Sequence, residues 1–141
     1  MRTDTRWGYW EVLFEKPPNL KIKRLVVNPG CHLSYQKHFK RNENWQVISG
    51  SGRVKLCMCP ELGEPDLIKW LKSYKELKYG GGDIYLAGHY DRTETCNVYI
   101  PATMWHQLIN DGKELLEIIE IQIGENCVEE DIERKGFDIL P

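Results

Sequence analysis

Nowhere in this 141-residue chain is there an apolar run long enough to cross a membrane, and the opening MRTDTRWGYW has no hydrophobic stretch of the kind that directs secretion. The expected location is the cytoplasm. An excess of charge of either sign is missing too: 19 Lys and Arg face 21 Asp and Glu, a net charge of -2. That excludes a global pull toward nucleic acid or an anionic membrane. The 5 cysteines are odd in number and lack the spacing of a zinc ribbon. Reduced thiols packed in a core are therefore expected rather than a disulfide framework. There is no internal repeat and no low-complexity tract, which excludes a solenoid.

Strand signals fill most of what remains. Segments 10–15, 20–27, 32–38, 45–49, 52–58, 97–100, 106–109 and 115–123 are short and rich in β-branched and aromatic residues. Pro17-Pro18, Asn28-Pro29-Gly30, Gly50-Ser51-Gly52 and Asn110-Asp111-Gly112 separate them as turns. The pattern predicts one all-β domain over 1–141, a sandwich or barrel. The one helical candidate is Asp66–Lys78, where Leu67, Leu71, Tyr74 and Leu77 recur at three- and four-residue intervals before Gly80-Gly81-Gly82. The acidic tail 124–140 is expected to be partly helical, with Glu129, Glu130 and Asp131 on a solvated face. Leu115–Ile123 is apolar on both faces, and a small sandwich has one interior, so a homodimer is expected to cover the second face.

Two stretches carry chemistry. Gly30–Gly50 reads GCHLSYQKHFKRNENWQVISG and offers Gln36, His38 and Glu43 as metal ligands; Pro101–Asn110 reads PATMWHQLIN and adds His106. Only a non-local β pairing brings His106 to the other three. Two imidazoles, a carboxylate and an amide oxygen suit one divalent zinc, manganese, iron, cobalt or nickel ion and disfavour copper(I). Alternation puts His32 and Ser34 on the face of Gln36 and His38, Trp45 on the face of Glu43, and Leu108 and Asn110 on that of His106. A cavity with polar groups and an aromatic wall of Trp45 would suit a sugar. The basic run Lys37, His38, Lys40 and Arg41 at its mouth would select an anion.

The spacing G-x5-Q-x-H-x4-E-x6-G followed by P-x4-H-x3-N resembles the paired motifs of the cupins. Arg6-Trp7-Gly8, KIKRLVVNPG, NVYIPA and LEIIEIQIGE narrow the resemblance to the type II phosphomannose isomerase domain, which usually forms the C-terminal part of bifunctional mannose-1-phosphate guanylyltransferases. The resemblance implies a jelly-roll cupin fold, with residues from about 58 to 95 as an insertion. It implies metal-dependent isomerisation of mannose 6-phosphate to fructose 6-phosphate. It also implies substrate roles for Arg41 and Arg134 and places Lys23 in the family's K-x-K-R run. Strand position alone offers Lys23 and Glu120 as proton carriers.

The departures are local. Lys135-Gly136-Phe137-Asp138 stands where the family tail runs on to Tyr-Gly-Arg, and Thr103, Met104 and Trp105 replace Gly, a small polar residue and Pro. These 141 residues hold no nucleotidyltransferase domain. The alternatives are a non-catalytic cupin that binds a sugar phosphate or sugar nucleotide, and a sugar-nucleotide epimerase.

Overall fold

The computed structural model describes residues 1–57, 74–78 and 94–135, and among them there is no helix. In chain order the strands are β1 (Arg2–Asp4), β2 (Gly8–Lys16), β3 (Leu20–Val27), β4 (Tyr35–Lys37), β5 (Arg41–Ser49) and β6 (Ser51–Cys57). They continue with β7 (Tyr74–Lys78), β8 (Glu94–Thr95), β9 (Asn97–Ile100), β10 (Trp105–Ile109), β11 (Leu116–Gly124) and β12 (Glu133–Lys135). They form two six-stranded sheets, β1-β2-β3-β11-β5-β9 and β12-β4-β10-β6-β7-β8. Every pairing is antiparallel except the short β7–β8 ladder. The expected all-β sandwich is thus the observed one.

Both expected helices fail among these residues. Tyr74–Lys78, the end of the Asp66–Lys78 candidate, is strand β7, laid on β6 from Ser51↔Lys78 to Lys55↔Tyr74. An open strand edge satisfies backbone groups at once, and that outranks a weak helical periodicity. The rest of the candidate lies outside the described residues. In the tail, Glu133–Lys135 extend the second sheet beside β4, and the residues between β11 and β12 are irregular.

The inward rows of β5 and β11 explain where the site sits. In β11, Leu116 and Ile118 are buried among apolar neighbours, and Glu120 and Gln122 continue the same face. In β5, Val47 and Trp45 give way to Glu43 and Arg41. Antiparallel register pairs Ile118 with Val47 and Gln122 with Glu43, so both rows turn polar at the same end. At the apolar end Leu25, Val27, Leu116 and Ile118 of the first sheet pack with Val54 and Leu108 of the second. Each such side chain contributes roughly 1.5–3 kcal/mol by leaving water.

Two turn residues hold the apolar end. Gly50 joins β5 to β6 at φ +82°, where a Cβ would meet the Leu115 carbonyl oxygen at 2.2 Å. Asn110 is fully buried; its Nδ2 donates to the carbonyls of Val27 at 2.9 Å and Glu114 at 2.8 Å. It is a clamp and not the cavity residue that alternation suggested. On the outer face of the first sheet, Ile121 lies beside Ile22 and Ile22 beside Phe14, and Ile123 and Phe14 are more than half exposed.

Candidate metal centre and its cavity

His38 follows β4, Glu43 lies in β5 and His106 in β10, and a ligand atom from each falls within 4.8 Å of the others. All three are buried. Register does the assembling: β10 lies against β4 with His106 opposite Gln36, which carries a ligand from residue 106 to a motif seventy residues away in sequence. Trp45 Nε1 donates to Glu43 Oε2 at 3.0 Å, and its ring meets His106 edge-on at 5.6 Å.

The imidazoles are oriented from behind. His38 Nδ1 faces the Asp131 carbonyl oxygen at 2.7 Å, and His106 Nδ1 faces that of Met104 at 2.9 Å. A carbonyl only accepts, so each Nδ1 carries the proton and each Nε2 turns toward Glu43. His38 Nε2 is 3.0 Å from Glu43 Oε1 and His106 Nε2 is 3.6 Å from Oε2. His106 Nε2 is buried with no hydrogen-bond partner. Burial pulls the His106 imidazole down to about 4, against the opposing charge of Glu43, so it is neutral near pH 7. Burial by itself would raise the Glu43 carboxyl. With the imidazoles protonated, the His38 hydrogen bond and the charges of His106, His38 and Arg41 outweigh it and hold Glu43 well below the usual carboxylate range.

Such a set fits a divalent cation. Lone pairs and a carboxylate converge, one nitrogen is left unsatisfied, and carbonyls fix both rings, as is usual behind metal-bound histidines. Here Arg41 supplies the positive charge. Its Nε donates to Glu43 Oε1 at 3.2 Å, its Nη2 lies 3.3 Å from His38 Nε2, and its Nη1 donates to the Val128 carbonyl at 2.8 Å. A metal on His38 and Glu43 would take over the two contacts that Arg41 makes with them. Gln36, opposite His106, accepts a hydrogen bond at Oε1 from Ser34 Oγ at 2.9 Å.

A cavity of about 590 Å³ opens beside this cluster. Gln36, His38 and Arg41 line it, whereas Glu43 and His106 do not. Arg6, Lys23 and Arg134 line it opposite only Glu120 and Glu129, so it favours an anion. Ser34 is on its wall as expected, accepting from Arg134 Nε at 3.2 Å. Arg134 is exposed there, and no carboxylate pairs with it among the described residues. Lys23 is buried, paired with Glu129 and 4.0 Å from the centre of the Trp10 ring. Burial first, then the charge of Glu43, raises the Glu120 carboxyl to about 7, against Lys23, Gln122 and Arg41.

One expected role changes. Trp45 is no wall of this cavity: it is 1% exposed and props Glu43 and His106 from the core side. Alternation gives the face of a residue but not its depth along the strand. Arg41 reaches the wall with all three guanidinium nitrogens held by protein, and the exposed arginines of the lining are Arg6 and Arg134. The aromatic lining comes instead from Trp7 and Trp10. The signal for Trp7 was the Arg6-Trp7-Gly8 motif, which reads as a family mark and not as a wall.

A family model described as the mannose-6-phosphate isomerase C-terminal domain matches residues 2–60 and 85–136. The chain belongs to this family. Among the relatives of the mannose-6-phosphate isomerase C-terminal domain, the alginate biosynthesis protein AlgA of Pseudomonas syringae pv. tomato is 34% identical over 128 residues. That alignment covers 91% of this chain and 20% of AlgA. The mannose-1-phosphate guanylyltransferase of Escherichia coli K12 is 30% identical, again over 91% of this chain and 20% of that protein. The chain thus spans about a fifth of the length of these relatives. Among solved structures, the capsular polysaccharide assembling protein CapF of Staphylococcus aureus superposes with a TM-score of 0.65 at 16% identity, covering 95% of this chain and 33% of CapF. A cupin-2 domain from Rhodospirillum rubrum gives 0.54 at 19% identity, covering 87% of this chain and 67% of its own. These structures establish the cupin fold.

Proposed function

We propose that this chain is a metal-dependent isomerase of a sugar phosphate, interconverting mannose 6-phosphate and fructose 6-phosphate. One observation carries the reading: the His38–Glu43–His106 cluster borders a basic, tryptophan-lined cavity whose volume suits a small ligand. Gln36, His38, Glu43 and His106 would hold a zinc, manganese, iron, cobalt or nickel ion, which when bound supplies Lewis-acid polarisation of the sugar's C1 or C2 oxygen.

The chain's own residues do the rest. Arg134 grips the phosphate with its planar fork. Trp7 and Trp10 cover the apolar side of the sugar. Glu120, poised near neutrality, takes the proton from C2 and returns it to C1, while the hydroxyl proton passes from O2 to O1, so no oxidant or reductant is needed. Lys23, across the ladder from Glu120, stabilises negative charge as it develops on the sugar oxygens.

A coupled assay with mannose 6-phosphate on metal-loaded and metal-stripped protein tests the proposal. Turnover in the loaded protein alone supports it. The departure of Lys135-Gly136-Phe137-Asp138 from the family tail favours a second reading, a cupin that binds sugar phosphates without turning them over. Calorimetric binding without turnover would select that reading. The apolar stripe on the outer face of the first sheet supports a homodimer through a second copy of the chain. Light scattering that gives the monomer mass at micromolar concentration would refute it.

A further inference from the structure

The segment between β11 and β12 lies across the sequence that carries His38. Its entry is tight: a Cβ on Gly124 would meet the Lys40 carbonyl oxygen at 2.2 Å. Glu125 N then donates to the same oxygen at 2.8 Å, and the Val128 carbonyl accepts from Arg41 Nη1 at 2.8 Å. Asp131 makes the closest set. Its backbone carbonyl accepts from His38 Nδ1 at 2.7 Å, its Oδ1 from Phe39 N at 3.0 Å and its Oδ2 from Lys40 N at 2.9 Å.

We propose that Asp131 is a positioning residue for the metal centre, locking the ring of His38 through its main chain and the backbone after His38 through its side chain. The inference rests on the metal reading above for its consequence, and on the three hydrogen bonds for its geometry. One residue sets both the proton-bearing nitrogen of His38 and the path of the chain that presents the ring. The side-chain chemistry is specific. Two N–H donors meet two acceptor oxygens, which a carboxylate satisfies and an amide cannot, since its NH₂ group would face one of the donors. The backbone carbonyl remains in every variant, so loss of the carboxylate acts by letting the strap and the 38–40 backbone move apart.

The test compares Asp131→Ala and Asp131→Asn with the parent protein by zinc titration and by NMR of the imidazole nitrogens. Partners behind metal-bound histidines typically matter 10–100-fold in affinity. Asp131→Ala should therefore weaken zinc binding by about that factor, and Asp131→Asn by less. In the metal-free parent, His38 Nδ1 should carry a slowly exchanging proton, and both variants should lose that protection. A fold defect alone is separated by Asp131→Asn, whose near-identical size keeps packing while removing one acceptor. Parent-like zinc affinity and parent-like His38 protection in both variants would overturn the proposal. If the parent binds no zinc, the metal reading fails on its own, and the His38 proton signal still decides whether Asp131 holds the ring.

Discussion

Strand β11 is paired along its length on both sides, with β3 and with β5, whereas residues 125–132, which continue the same chain, belong to no strand. β11 is held by ladder bonds and by burial of Leu116 and Ile118. The strap is held by side chains and carbonyls reaching residues some ninety positions away. The difference separates two properties that are often conflated. Stability should reside mainly in the ladder and its apolar row, while the strap fixes how His38 and Arg41 are presented to a site whose other members the strands place. A change in one region should move one quantity and spare the other.

The sharpest break lies in the cluster itself. His106→Ala should abolish bound metal, and Gln36→Ala should reduce it less, because an imidazole is the stronger donor; elemental analysis of purified variants reads both. In the apolar row, Ile118→Ala should cost about 2–5 kcal/mol in urea unfolding, the usual penalty for such a cavity. Arg134→Ala should cost about 2–5 kcal/mol of sugar-phosphate binding or transition-state stabilisation, with Arg134→Lys recovering part of it. Its unfolding free energy should stay within about 0.5 kcal/mol of the parent, since the residue is exposed. Comparable losses in the stability of Arg134→Ala and Ile118→Ala would erase the distinction.

Acidity sharpens the comparison. With Glu120 raised to about 7, kcat/KM should fall about tenfold per pH unit below that value, as the base is protonated. In metal-free protein the stability terms oppose each other. Glu120 binds a proton more tightly when folded, so lowering the pH from 7 toward its ordinary value of 4.5 favours the fold. His106, pulled down from 6.5 to about 4, loses its contribution as pH falls through that range. Glu120→Gln should therefore unmask a loss of stability between pH 6.5 and pH 4.5, read by urea unfolding.

The smallest effect is expected at Thr103, whose φ of +71° is strained for a β-branched residue. Its amide donates to the His38 carbonyl at 2.6 Å. Thr103→Gly should raise stability by about 1 kcal/mol, visible as a higher melting temperature, with metal affinity unchanged.

These regions were unequally legible. The bounds of β3 and β9 and the burial of Leu116, Ile118 and Val47 follow from period-two alternation, which a ladder enforces along its whole length. His38, Glu43 and His106 were legible because donors at cupin spacing are few and chemically distinct. Tyr74–Lys78 misled because five residues satisfy a helical and an alternating pattern alike, and the neighbouring β6 edge decided between them. The strap left no periodic trace. Side-chain-to-carbonyl bonds have no repeat, and Glu129, Glu130 and Asp131 read as an ordinary charge run although Glu129 pairs with Lys23 and Asp131 clasps residues 38–40.

The placement of β11 has a consequence for how the chain is made. β3 and β5 each pair with β11 and not with each other. A chain leaving the ribosome holds both strands long before Leu116 appears, and each then presents an open edge to its surroundings. The first sheet can close only when its central strand arrives late and inserts between two waiting neighbours. Such long-range pairing makes for slow folding, and the interval before insertion is when the nascent chain is most exposed to joining its edges with those of another copy.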